Sequence, residues 1–210
     1  MNRTPISRRM LFTAMTLAAF SVAASAVWAF PEPHVVPTSW ELDFTQGKPS
    51  LVSVRMQGED KPRHYYYFTY TVTNRTGTEQ LWVPEFSVWT DAGDLIQANR
   101  GISPTIFNAI RDREKNPLLE NPFQIVGPLL QGTDNARDGV VIWQVPEHDV
   151  DHIRIFISGL SGETHVVKDP LSGEEKLLRK TLMLEYRTPG DYAHVLSKPF
   201  NFVGKEWVVR

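Results

Sequence analysis

The sequence predicts an all-β chain, an antiparallel β-sandwich with one inserted short α-helix over about 103–115. Three observations predict it. Apolar residues recur with a period of two along most of the chain, the pattern of half-buried strands. Clusters of Gly, Pro, Asn and Asp separate these stretches at short intervals. One stretch alone switches to helical spacing.

The elements follow in order. In Trp40-Glu41-Leu42-Asp43-Phe44 apolar and acidic residues alternate strictly, and Val52, Val54 and Met56 repeat the pattern after Gly47-Lys48-Pro49. The clearest strand is His64 to Thr73. Tyr66, Phe68, Tyr70 and Val72 fall on its core side, and Tyr65, Tyr67 and three threonines on a side expected to face outward. Asn74-Arg75-Thr76-Gly77 supplies a turn. Gln80 to Thr90 reads as the next strand, with Trp82, Phe86 and Val88 inward and Pro84 at an edge or bulge. A hairpin turn at Asp91–Asp94 leads into a short strand, Leu95 to Ala98.

Ser103-Pro104 then reads as a helix N-cap with proline in the first turn. Ile102, Ile106, Phe107 and Ile110 share one face, and Asn116-Pro117 stops the helix. Phe123–Val126 reads as a short strand. Val140–Val145 is nearly all apolar, as a central strand covered on both faces would be. Ile153, Ile155 and Ile157 alternate with Arg154 and Phe156. Thr164–Val167 and Lys176–Tyr186 flank a hairpin turn, with Leu182, Leu184 and Tyr186 inward, and Phe200–Val203 and Trp207–Val209 close the chain. Nine or ten short strands with no linker or repeat predict a single domain over 30–210.

Composition narrows the function classes. The chain of 210 residues has 41% apolar residues, 22% charged residues and no cysteine. That composition supports a packed core and excludes a disulfide scaffold, a cysteine metal site and a thiol nucleophile. A net charge of -2 argues against nucleic acid as a partner.

Arg3, Arg8 and Arg9 precede the uncharged stretch Met10–Ala29, the pattern of a signal peptide over residues 1–29. Cleavage fits after Ala26 or, preferably, after Ala29, placing the mature protein in the periplasm or outside the cell. Left uncleaved, the stretch is long enough to anchor the chain in a membrane. Ser7-Arg8-Arg9-Met10-Leu11-Phe12 is similar to a twin-arginine signal, with the Phe-Leu order inverted; a general secretory signal carrying two arginines fits equally.

The strand Tyr66–Asn74, the segment Leu81-Trp82-Val83-Pro84 and the run Asp138-Gly139-Val140-Val141-Ile142-Trp143-Gln144-Val145-Pro146 together resemble bacterial extracytoplasmic immunoglobulin-like domains of the telokin-like type. The chain is also similar to uncharacterised secreted bacterial proteins that share Lys115-Asn116-Pro117-Leu118-Leu119-Glu120. The resemblance implies an immunoglobulin-like sandwich and little about function, because that architecture carries many unrelated functions. The helix is not part of the plain domain.

Candidate sites are few. Catalytic signatures for a serine nucleophile elbow, a zinc protease or a phosphate loop are missing, and Ser158-Gly159-Leu160-Ser161-Gly162 reads as turn glycines. The expectation is a non-catalytic protein that needs no cofactor and serves as a binding or envelope-assembly module. Its partner would be an envelope protein or a cell-surface glycan. Arg111, Arg113 and Lys115, on the charged end of the helix, are the candidate protein-binding residues. Tyr65, Tyr67 and Trp89, read as outward aromatics, are the candidate carbohydrate-binding residues. His148 and His152, four apart among acidic residues, are the candidate metal ligands, against the plainer reading of a polar surface loop. His34, His64, His165 and His194 are scattered in sequence.

Overall fold

A computed structural model describes residues 31–146, 149–169, 172–188 and 199–210. The signal expected over 1–29 lies outside them. The described residues are mostly strand, with one α-helix and antiparallel strand pairing throughout the named ladders, an all-β arrangement compatible with a sandwich.

The first sheet is built on β3 (Arg63–Thr73). β1 (Asp43–Gln46) and β2 (Ser50–Val54) pair with successive stretches of it, and β8 (Arg137–Gln144) pairs with Tyr65–Val72 along its other edge. Val140–Val145, expected at the centre of a sheet, therefore flanks β3 instead. It is nonetheless covered on both faces, which is what its unbroken apolar run reflects.

The second sheet runs β10 (Thr164–Lys168), β11 (Glu175–Arg187), β9 (His152–Ser158), β5 (Glu85–Thr90), β6 (Leu95–Gln97), with β12 (Asn201–Val209) pairing to the free side of β11. The two closing segments expected near 200–209 are one continuous strand, accommodated by a bulge opposite Glu185 and Tyr186.

The single strand expected over 80–90 is two. β4 (Gln80–Trp82) turns away to pair with β7 (Gly127–Leu129), and the break falls at Val83-Pro84, where proline offers no ladder donor. Gly159 lies against this break at φ +87, and a Cβ there would sit 2.7 Å from the Val83 carbonyl oxygen. Phe123–Val126 is a turn rather than a strand. Asn121 accepts the Phe123 and Gln124 amides on its side chain, a local bond that competes with extended pairing.

Helix α1 (Pro104–Glu114) follows Ser103 in extended conformation and ends at Lys115, whose left-handed backbone returns its N–H to the Arg111 carbonyl. Its apolar face explains the layering. Tyr66, Phe68, Tyr70, Val72 and Trp143 from the first sheet meet Phe86, Val88, Ile155, Leu184 and Tyr186 from the second in the main core. On the opposite face of the first sheet, Tyr65, Tyr67, Val52, Val54 and Ile142 pack against Ile106, Phe107 and Ile110 of α1. The first sheet is therefore covered on both faces. Gly139 is required within it, since a Cβ there would lie 2.3 Å from the Tyr70 ring.

The expected direction of the core face of β3 holds, but the outward exposure expected of Tyr65 and Tyr67 does not. Tyr67 is 1% exposed. Its hydroxyl donates to Glu114 at the end of α1, and burial, reinforced by that carboxylate, pushes its pKa up to about 12.

Candidate functional site

Two features stand out, one buried and one open. The buried one begins on β11. Tyr186, Leu184 and Leu182 step along its inward face with period two, and the next inward position is Lys180, only 1% exposed. An ammonium in that position must be paired. It donates to Oε1 of Glu41, to Oε2 of Glu163 at 3.2 Å and to the His34 carbonyl at 3.1 Å, and lies 5.1 Å from the Trp207 ring centroid.

Glu163 is 4% exposed. Its Oε1 accepts the His34 backbone N–H at 3.0 Å, and His34 Nδ1 and His165 Nε2 each stand 2.9 Å from that oxygen. The local cause is strand geometry: Glu163 and His165 are two residues apart on extended chain and project to the same side. His34 comes from the segment leading to β1, which is held to the second sheet by Leu42 N–H donating to the Leu160 carbonyl and Gly162 N–H donating to the Trp40 carbonyl. Ser161, in the run that superficially resembles a nucleophile turn, accepts the Glu163 amide on its hydroxyl.

Burial alone would raise the Glu163 carboxyl. The hydrogen bonds from the His34 backbone and ring, His165 and Lys180 outweigh it and hold the group far below the ordinary carboxylate range. For Lys180, burial favours the neutral amine, but Glu41 and Glu163 reverse the effect and raise its pKa. A carboxyl depressed in the folded state stabilises fully above its unfolded value of about 4.3 and loses that contribution as pH falls toward the folded value. Urea titrations between about pH 5 and pH 2 should therefore show stability falling more steeply in wild type than in Glu163→Gln. Parallel profiles would contradict this assignment.

The open feature is the outer face of the second sheet. Two adjoining grooves of about 450 and 540 Å³ share Phe156 and Arg210. One is lined chiefly by Glu85, Ser87, Arg179 and Thr181, the other by Trp89, Leu95, Arg154, Met183 and Val208. The Arg210 guanidinium lies 4.1 Å from the Phe156 ring centroid and the Arg154 guanidinium 5.9 Å from that of Trp89. Trp89 is 45% exposed. Phe156, Met183 and Thr181 are buried at the groove floors, so Trp89 is the aromatic surface the face offers, bordered by planar cations and carboxylates, a combination suited to binding.

The structure separates the sequence-predicted residues. Trp89 is on the open face, whereas Tyr65 and Tyr67 are under α1 on the other sheet and cannot join it in stacking on a sugar. Arg113 donates to the Leu51 carbonyl of β2, tying the helix down, and the Arg111 guanidinium lies 5.6 Å from the Phe107 ring centroid. Lys115 is exposed at the helix end. His148 lies outside the described residues. His152 is at the start of β9, with Nε2 2.8 Å from Glu185 Oε1. The buried cluster was not anticipated from sequence; its signal was the Glu163-Thr164-His165 spacing.

No family model, curated protein or solved structure matches the chain.

Proposed function

We propose that this chain is an exported, non-catalytic binding module of the cell envelope, and that the open face of the second sheet is its binding surface. One observation carries the reading: the first sheet has both faces covered, while the second leaves Trp89 and Leu95 exposed beside a groove edged by Arg154 and Arg210, with Phe156 buried at its floor. Exposed aromatic and arginine side chains are where binding energy concentrates in interfaces.

Strand order supports the finer, immunoglobulin-like reading. β3 lies between the first strands and β8, and β9 lies between β5 and β11, as in sandwiches of that type. In this reading α1 is an insertion between β6 and β7 that lies over the outer face of the first sheet, and the sequence pattern at 1–29 provides export.

A photo-activated cross-linker placed at Leu95, with Lys115 as the comparison position, tests the surface in native envelope. Capture of one envelope component from Leu95, and not from Lys115, is the expected result. Trp89→Ala should weaken that binding at least about tenfold while changing stability by no more than about 0.5 kcal/mol. Preferential capture from Lys115 would move the function to the charged helix end.

The half-exposed Trp89 beside a polar groove also favours a second reading, a carbohydrate ligand. A glycan array separates the two: hits that vanish with Trp89→Ala support the sugar, and an array without hits leaves the protein partner.

A further inference from the structure

We propose that His34, Glu163 and His165 form a binding site for a divalent cation of the zinc class, with Lys180 and Glu41 as its outer partners. The inference rests on a different part of the molecule from the binding face and does not depend on that reading.

The first argument is convergence. His34 Nδ1, His165 Nε2 and a Glu163 carboxylate oxygen lie within 4.8 Å of one another. Two imidazoles and a carboxylate are the donor set that borderline divalent ions take, and three protein ligands leave a coordination position for water or an incoming donor. The nitrogen–oxygen separations of 2.9 Å are those of hydrogen bonds; around a tetrahedral ion with bonds of about 2.0–2.1 Å they would open to about 3.3 Å, a change of a few tenths of an ångström that the exposed His34 side chain can supply.

The second argument is the crowding on one oxygen. Glu163 Oε1 faces three nitrogens at 2.9–3.0 Å: the His34 amide, His34 Nδ1 and His165 Nε2. If all were hydrogen bonds, three protons would point at an atom with two lone pairs. A cation between the rings and the carboxylate relieves this, because both imidazoles then present lone pairs and only the amide remains a donor.

The third argument is charge and support. With neutral imidazoles the cluster holds two carboxylates against one ammonium, so it carries surplus negative charge. Lys180 bonds the carboxylate oxygen that faces away from the histidines, and Ser161 accepts the Glu163 amide. Such outer contacts fix the direction of a ligand. The His34 side chain is 56% exposed, which gives an ion a way in.

The test is titration of the chelator-treated, otherwise intact protein with Zn²⁺ alone by calorimetry, followed by Co²⁺ absorption as a report on the ligands. One Zn²⁺ per chain is expected. His34→Ala, at a side chain 56% exposed, and His165→Ala should each weaken binding by more than the roughly 10–100-fold that loss of an outer partner costs, and each should alter the Co²⁺ spectrum. His152→Ala should leave binding unchanged. Circular dichroism of each variant establishes that it is folded. No saturable Zn²⁺ binding, binding that survives both His34→Ala and His165→Ala, or loss on His152→Ala would each overturn the proposal.

Discussion

Replacing Lys180 with methionine is expected to cost about 3–5 kcal/mol of folding stability, the loss typical when one partner of a buried ion pair is removed. The side chain has nearly the right length and apolar stem, so packing is largely kept. What is lost is the charge between Glu41 and Glu163. Glu163 then remains buried as an anion with only the His34 and His165 contacts, or takes up a proton. Urea denaturation of the two proteins under identical conditions measures the difference. In a Glu163→Gln background the same substitution should cost much less, because the stranded charge has gone. A loss below about 1 kcal/mol in the wild-type background, the size expected of an exposed pair, would mean that Lys180 is not enclosed as described.

Tyr67→Ala carries a comparable cost, about 3–5 kcal/mol, as for other large aromatic side chains removed from a core. The truncation empties space between β3 and α1, and it removes the partner of Glu114. Were Tyr67 on an open face, the change would stay within about 0.5 kcal/mol. The measurement therefore separates a first sheet with two covered faces from one with a wet outer face. Tyr67→Phe divides the effect further. It keeps the ring and loses one hydrogen bond, for which about 0.5–1.5 kcal/mol is expected.

The contrast at β3 illustrates how far the fold was legible in the sequence. The period-two signal placed Phe68 and Tyr70 correctly because those positions face the larger core and are apolar without interruption. It assigned Tyr65 and Tyr67 to solvent because alternating threonines and phenolic hydroxyls look wet. Nothing local to β3 says that a helix forty residues later lies over them. The apolar stripe of that helix was readable from Ile106, Phe107 and Ile110; the face it covers was not. Pro84 was readable as a ladder defect, while the departure of β4 toward β7 depends on a distant partner.

The buried cluster was less legible for the same reason. Glu163 and His165 can be paired from their spacing, but His34 is separated from Glu163 by 129 positions and Lys180 from Glu41 by 139. A lysine in the inward series Lys180, Leu182, Leu184, Tyr186 reads as the exposed end of a strand until the segment carrying Glu41 closes over it. The candidate ligands His148 and His152 drew attention because they are near in sequence, whereas the histidines of the cluster are 131 positions apart and meet only through the fold.

The position of β3, bonded along both edges and covered on both faces, has a consequence for how the molecule opens. Its amide protons can reach solvent only when a neighbouring strand leaves and a layer lifts as well. They should therefore exchange with deuterium through near-global unfolding, whereas those of β6 and β10, at the margins of the second sheet, should exchange through local openings of much lower free energy. The protein would then have a graded interior, with its slowest-breathing strand beneath the helix and its fastest strands at the margins of the sheet whose outer face is open.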